Sequence, residues 1–390
     1  MAGPAASEQL RRHNTALLLR RLRDGGPASR AELAKESGLA KATVGTIVGH
    51  LHALGAVDEQ PALAAPRGRP GRPVALGGER LVGLGVEVNV DYMAAVALDL
   101  AGRVVLSEER PAGADGTPVT PGHLCDFVSR CHDTLRSQGR TLLGSTVAIP
   151  GLVDRDRGRV TSAPNLGWYD VDLAADVAGV VDDRCLVRVD NDANCAALAE
   201  TVRGVAAGRQ DIVYLTGTVG VGAGIVVDGR VLRGARGYAG EVGHMRVGDS
   251  TALCGCGRRG CWEAVVGLNA LLRTVRLPRV SEDDPVSIAR YVASRAGEPE
   301  VGAGLEQVAG SLSAGAVMLA NALNPSMIVL GGYFEPLGRW FLPRVQEALD
   351  RDVFARDGCT AALSTLGLNA AATGAATEVL ADVFHARIAL

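Results

Sequence analysis

Over residues 9–24 apolar side chains recur at helical spacing (Leu10, Leu17, Leu18, Leu22), and the run stops at Gly25-Gly26-Pro27. Ser29 and Glu32 then stand three apart as a capping box, which predicts a helix starting at Arg30 and ending at Gly38. A further helix is predicted from near Lys41, past Leu51, to Gly55. Small Ala34 lets the two cross closely, and Val44 and Ile47, three apart, face back onto the first. The pattern is a helix-turn-helix. Two short strands, Val57–Glu59 and Val74–Leu76, flank Arg67-Gly68-Arg69-Pro70-Gly71-Arg72-Pro73. Arginines held between glycine and proline on a slim hairpin suit a narrow, electronegative minor groove, so this stretch reads as the wing of a winged helix. Read in isolation, it would serve equally as a flexible linker.

Beyond residue 81 the period switches. Strands are predicted at 81–90, 93–100, 146–149, 187–189, 211–215, 225–227 and 327–330, with helices at 122–138, 196–202, 304–323 and 337–350. Strands alternating with helices, with polar and glycine-rich loops at the strand ends, define an α/β body whose ligand sites lie at the carboxyl ends of the strands. The chain therefore divides into a DNA-binding head over 1–77, a first lobe over 78–190 to which 374–390 returns, and a second lobe over 191–373.

Charge changes the picture of the head. The net charge is −3, but residues 1–80 hold 12 Lys+Arg against 7 Asp+Glu, while 81–390 hold 28 against 36. A basic head on an acidic body points the head at a polyanion. In a helix-turn-helix the start of the second helix enters the major groove, which places Lys41, Ala42, Thr43, Gly45, Thr46 and His50 toward double-stranded DNA, with Lys41 on phosphate. Arg67, Arg69 and Arg72 join them from the wing. No apolar stretch reaches 18 residues and no signal peptide opens the chain, so a cytoplasmic protein without a membrane span is expected. Five scattered cysteines (Cys125, Cys131, Cys185, Cys195, Cys359) fit reduced core thiols.

The densest chemistry is Cys254-Gly255-Cys256-Gly257-Arg258-Arg259-Gly260-Cys261-Trp262-Glu263, ten residues after His244. Cys254, Cys256, Cys261 and His244 make a complete tetrahedral Zn²⁺ set that leaves no open position for water, so the metal is expected to be structural. Buried free thiols or a disulfide are the plainer alternatives; nothing else in the chain favours oxidation.

These motifs resemble the ROK family (repressors, open reading frames and sugar kinases). The resemblance rests on the cysteine knuckle, on Glu241-Val242-Gly243-His244 before it, and on Asn191-Asp192, and it covers nearly the whole chain. It implies a two-lobed actin-like ATPase (RNase H-like) fold with a sugar in the cleft, and the winged head resembles the family's repressor branch. The sugar contacts it implies are Asn165, Asn191, Asp192, Glu241, His244 and Glu263, with Asp192 matching the general base of the kinases. Such groups suit vicinal hydroxyls, which both donate and accept.

The nucleotide half departs from the pattern. Where the kinases carry Asp-x-Gly-Gly-Thr, this chain has Glu87-Val88-Asn89-Val90-Asp91. Both glycines are gone, and Asp91 sets a negative charge beside a polyanion. The second phosphate loop, residues 217–224, has Val219 in place of a phosphate-binding Thr. A sugar-responsive regulator, most simply a dimeric or tetrameric repressor on an inverted repeat with a sugar or sugar phosphate as effector, is the leading expectation. An active sugar kinase with a regulatory head, and a DNA-binding protein governed by a partner protein, stand as alternatives.

Overall fold

The computed structural model describes residues 4–61, 72–78, 80–111, 118–218, 220–247, 251–278, 285–355 and 358–390. It begins with α1 (Pro4–Gly25), α2 (Arg30–Ser37) and α3 (Lys41–Ala53). Both halves of the capping box form: the Ser29 hydroxyl accepts from Glu32 N–H, and the Glu32 carboxylate accepts from Ser29 N–H at 2.7 Å. Gly38 closes α2 at φ 71°, a conformation that costs glycine little. Strands β1 (Val57–Glu59) and β2 (Val74–Leu76) pair antiparallel, completing the frame of a winged helix. Leu18, Leu19, Leu22, Val44, Ile47 and Leu51 form its core, whereas Leu10, an apolar position in the predicted stripe, is 61% exposed.

The body consists of two sheets with one topology. The first runs β10-β6-β3-β4-β5 and the second β13-β12-β11-β14-β15. In the first, β3 (Leu81–Val88), β4 (Tyr92–Asp99) and β5 (Val104–Pro111) form an antiparallel meander, and β6 (Thr141–Ile149) and β10 (Leu186–Asn191) extend it in parallel. In the second, β11 (Ile212–Gly217), β12 (Val221–Val227) and β13 (Arg230–Val231) form the meander, with β14 (Met327–Gly332) and β15 (Thr360–Leu363) parallel beside it. Three antiparallel strands plus two parallel ones, twice, is the duplicated architecture of the actin-like ATPases, the fold the sequence motifs implied.

Helix α4 (Pro121–Ser137) covers the first sheet, with Phe127 and Val128 fully buried. A small sheet of β7 (Leu152–Asp154), β8 (Arg159–Ala163) and β9 (Trp168–Val171) caps that lobe, followed by α5 (Leu173–Ala178). Helices α7 (Glu263–Val266), α8 (Leu268–Thr274), α9 (Pro285–Ser294), α10 (Pro299–Leu323) and α11 (Gly338–Asp352) bury the other face of the second lobe. Between the lobes lie α6 (Asp192–Arg203) and α12 (Ala370–Phe384). They meet through Ala and Gly, so their backbones nearly touch: a Cβ on Gly374 would sit 1.7 Å from the Cys195 carbonyl oxygen. Helix α12 also presses on β3, where a Cβ on Gly85 would sit 1.9 Å from the Ala372 carbonyl oxygen.

At its far end α12 carries the head. Val379, Leu380, Val383 and Phe384 share one apolar cluster with Leu18, Leu19 and Leu22 of α1. Arg20 donates to the Phe384 carbonyl at 2.6 Å, and the Arg23 guanidinium lies 4.7 Å from the centre of the Phe384 ring. Among the described residues, no helix is long and apolar enough to cross a membrane.

Candidate functional site

The knuckle residues come together. His244, Cys254, Cys256 and Cys261 offer donor atoms all within 4.8 Å of one another. Cys256 and Cys261 sulfurs lie 3.7 Å apart, and the Cys254 sulfur lies 3.8 Å from His244 Nδ1. With Zn–S near ~2.3 Å and Zn–N near ~2.0 Å, the edges of a tetrahedron come to roughly 3.5–3.8 Å, so the spacing and the donor set fit a closed tetrahedral metal site. Gly257 and Gly260 take φ of 84° and 81° to turn the chain around it. Bridges from Arg246 to Cys261 and from Leu253 to Arg259 hold the loop, and Trp262, fully buried, anchors it by donating its indole N–H to the Ser311 carbonyl at 2.8 Å. His244 faces the knuckle with Nδ1, and its Nε2 lies 3.8 Å from the Glu241 carboxylate. A second nitrogen turned to a carboxylate is the arrangement that orients a metal-bound imidazole.

Glu241 and His244 border an opening of about 490 Å³, together with Ser162 and Pro164 of the first lobe and Tyr238 and Arg258 of the second. That volume lies within the ~300–1,000 Å³ usual for small-molecule sites. The Tyr238 hydroxyl lies 3.3 Å from Thr161 Oγ1, spanning the mouth between lobes. Burial raises the Glu241 carboxyl above the usual carboxylate range, partly opposed by His244.

The other residues drawn from the motifs are placed differently. Asn165 is exposed on the 3₁₀ turn Pro164–Leu166. Asn191 is the N-cap of α6: its Oδ1 accepts from Asn194 N–H at 3.1 Å, and its Nδ2 donates to the Gly151 carbonyl at 3.2 Å. Glu263 turns toward the backbone, where its Oε2 accepts from Val221 N–H at 3.2 Å and its Oε1 from the Cys254 thiol at 3.4 Å. Glu263, two residues after Cys261, ties the end of the knuckle to the glycine loop through Val221. Asp192 is buried and lines a separate cavity, deeper between the lobes.

That cavity is bounded by Glu87, Gly217 and Thr218, from the two stretches the sequence assigned to nucleotide, with Thr216 and Gly332 beside them, and it amounts to about 20 Å³, room for a single water. Tyr92 fills it. Its side chain is 4% exposed, and its hydroxyl donates to Glu87 Oε1 at 2.6 Å. The β3–β4 turn is closed on itself: Asn89 N–H donates to the Tyr92 carbonyl at 2.8 Å, and Val90 N–H to the Asn89 side chain at 2.8 Å. The backbone amide that would meet a phosphate is spent internally. Burial pushes the Glu87 carboxyl up to about 8, with the Asp192 charge adding to the shift and the Tyr92 hydrogen bond opposing it. Burial likewise takes Asp192 to about 7, and Glu241 adds to that shift. Val219 lies outside the described residues.

In the head, Lys41 and Thr46 are exposed at the start of α3, and Thr43 is half-buried. His50 lies 3.0 Å from Arg11 of α1, and Arg72 reaches Glu59 at 3.7 Å. Arg67 and Arg69 lie outside the described residues. The motifs did not single out Tyr92, Tyr238 or Arg258. Tyr92 had a sequence signal, a large aromatic immediately after the altered phosphate stretch. Tyr238 had a weaker one, three residues before Glu241.

A family model described as the ROK family matches residues 83–381. The chain belongs to the ROK family. It is 29% identical over 375 residues to the xylose repressor of Bacillus subtilis, covering 94% of each chain, an extent that reaches into the head the family model leaves out. It is 30% identical over 308 residues to the glucokinase of Halalkalibacterium halodurans, covering 75% of this chain and 92% of the glucokinase. Among solved structures, a ROK family transcriptional regulator described as a homologue of the Escherichia coli MLC protein superposes with a TM-score of 0.80 at 23% identity, covering 97% of this chain and 98% of the other. A likeness at that identity establishes the fold, head included.

Proposed function

We propose that this ROK protein is a sugar-responsive DNA-binding repressor without kinase activity. The observation that carries the reading is the contrast between the two halves of the cleft. An opening of about 490 Å³ remains beside Glu241 and His244, while Tyr92 and Glu87 leave about 20 Å³ where a nucleotide's phosphates would lie. Phosphoryl transfer depends on an aligned donor whose charge is neutralised, and a self-satisfied turn facing two buried acids offers neither. The full-length match to a xylose repressor supports the same reading.

On this reading Zn²⁺ in the His244–Cys254–Cys256–Cys261 site is structural. It fixes the segment that presents His244 and Glu241, and through Glu263 it fixes the glycine loop. Asn165, Asn191 and Asp192 would reach sugar hydroxyls once the lobes close. Lys41, Thr43, Thr46 and His50, with the wing arginines Arg67, Arg69 and Arg72, would grip one half-site, and a second copy of the chain the other, about 34 Å or a multiple away.

One observation favours a second reading, a sugar kinase with a regulatory head. Asp192 is buried at the cleft with its carboxyl near 7, the range of a working general base. A coupled ADP-release assay with D-xylose, D-glucose and N-acetylglucosamine decides between the readings. We expect no turnover above background; rates within about 1–100 s⁻¹ would establish the kinase and overturn the repressor reading.

A further inference from the structure

Two buried acids and two half-buried arginines meet where the two lobes join α12. Arg155 follows β7, Asp190 lies near the end of β10, Arg233 follows β13, and Glu378 lies in α12. Arg155 Nε donates to Asp190 Oδ2 at 3.2 Å and its Nη2 to Glu378 Oε1 at 2.5 Å. Arg233 Nε donates to the same Asp190 oxygen at 3.1 Å, and its Nη2 bridges Asp190 and, at 2.8 Å, Glu378. The side chains of Asp190 and Glu378 are 4% and 10% exposed, so neither acid has water to fall back on. Two positive and two negative groups balance, and each fork spans two acids from different parts of the fold.

The position of this set gives it a role. The other oxygen of Asp190 accepts from Asn191 N–H at 2.8 Å, directly behind the start of α6. Arg233 opens the loop that leads to Tyr238 and Glu241 at the sugar-side opening, and Ala239 N–H closes that loop on the Arg233 carbonyl at 3.0 Å. Thus one end of the loop lines the opening, while the other is clamped to the first lobe and to α12. One turn beyond Glu378, Asp382 takes Arg188 of β10 and, at 3.1 Å, Arg387. Two residues further, Phe384 meets Arg20 and Arg23 of the head.

We infer that Arg155, Asp190, Arg233 and Glu378 form the joint through which occupancy of the opening is passed to the DNA-binding head, with Arg233 a positioning residue that touches no ligand itself. The inference rests on the sugar-sensor reading above. Buried ion pairs do not stretch gradually. Once Arg233 moves enough to lose one acid, that acid is left buried with one partner fewer, so the set favours discrete made and broken arrangements. A shift of the loop toward a bound sugar must either carry α12 with it or break the fork, and in both cases the support beneath α1 changes.

The test uses the full chain and two variants. Arg233→Lys keeps the charge but replaces a planar fork by a point donor that cannot hold both acids. Glu378→Gln keeps the shape of the α12 partner and removes its charge. Calorimetric titration identifies the tightest-binding sugar among D-xylose, D-glucose, N-acetylglucosamine and the 6-phosphates of the last two. Hydrogen–deuterium exchange then follows the amides of α1 and the last turn of α12 with and without that sugar. In the wild type we expect the sugar to change exchange there by about fivefold or more, the lower end of usual coupling factors. In Arg233→Lys that change should shrink to within about twofold while sugar affinity stays within about threefold. If Arg233→Lys does not fold, Glu378→Gln carries the same test. A variant that keeps the full response at α1 overturns the joint. A variant that loses sugar affinity in step with the response also overturns it, and places Arg233 in the pocket. Failure of every sugar to bind the wild type overturns the sensor reading itself.

Discussion

The crossing of α6 and α12 makes a prediction whose sign can be worked out from the space available. Replacing Gly374 by Ala places a methyl 1.7 Å from the Cys195 carbonyl oxygen and 2.4 Å from its carbon, against an ordinary contact of about 3.5 Å. Neither neighbour is the end of a flexible side chain, so the two helices must part by roughly 1.5–2 Å. Overpacking of that kind costs about 1–3 kcal/mol, set against the ~0.5–1 kcal/mol that Gly→Ala returns in a helix. Gly310 in α10 is the control, because a methyl there meets nothing within 4 Å. The same substitution should therefore act in opposite directions: for a chain of 390 residues Gly310→Ala raises the melting temperature by about 0.5–1 °C, and Gly374→Ala, at a net loss of up to about 2.5 kcal/mol, lowers it by up to about 3 °C. Scanning calorimetry of the two variants beside the wild type reads both numbers. Gly374→Ala should also weaken sugar binding, since it displaces the helix whose first turn is built on Asn191 and Asp192, whereas Gly310→Ala should leave it unchanged. A Gly374→Ala protein as stable as the Gly310→Ala one would refute the close crossing, and with it any account in which α6 and α12 move as one body.

Three further outcomes can be checked. Cys256→Ser removes one thiolate of the closed set, so metal content by mass spectrometry should fall from near one per chain toward zero and sugar affinity should drop about 10–100-fold; full metal content would remove Cys256 from the ligand set. Lys41→Ala and Arg72→Ala should each weaken DNA binding and lower the slope of affinity against salt by about one phosphate contact; an unchanged slope means that the residue does not meet phosphate. Glu87 holds its proton up to about pH 8 in the folded protein but releases it near pH 4.5 when unfolded, so its contribution to stability is complete below pH 4.5 and is lost as pH rises through 8. Glu87→Gln cannot ionise and should gain on the wild type across that window, by an order of a few kcal/mol at its top; urea midpoints that differ by a constant amount from pH 4.5 to 8 would mean that the carboxyl is not buried.

What the sequence reveals and conceals follows from the range of each interaction. The capping box at Ser29 and Glu32, the turn at Gly38 and the knuckle from Cys254 to Cys261 depend on residues within ten positions of one another, so their spacing alone specifies them. The two central meanders were legible in part, because β3, β4 and β11 are nearly continuous apolar runs. Strand β5 was not, since it is an edge strand with mostly exposed positions, and its alternation is too weak to stand out from a loop. The ligand site shows the same division. Motif matching named Glu241 and His244, which border the opening, and equally named Asn191 and Glu263, which each already hold backbone partners. A motif records which residues are present but not which of their hydrogen bonds are already spent, and that is decided by Gly151, Asn194 and Val221, 40, 3 and 42 positions away.

Filling the nucleotide half has a mechanical consequence for the proposed sensor. In a two-lobed kinase, part of the energy gained on closing around a sugar aligns a phosphoryl donor. Here, on the proposed reading, the cavity lined by Tyr92 and Glu87 leaves about 20 Å³, so closure has no donor to align. On this reading the lobes close about α6 and α12, whose mutual contact is made by closely packed Ala and Gly backbone. Helix α12 is held at four successive levels: by Cys195 at Gly374, by Arg155 and Arg233 at Glu378, by Arg188 at Asp382, and by Arg20 and Arg23 at Phe384. A helix clamped along its whole length transmits a displacement at one end to the other instead of bending to absorb it. The binding energy that a kinase applies to its donor is then available, on this reading, to reposition the head.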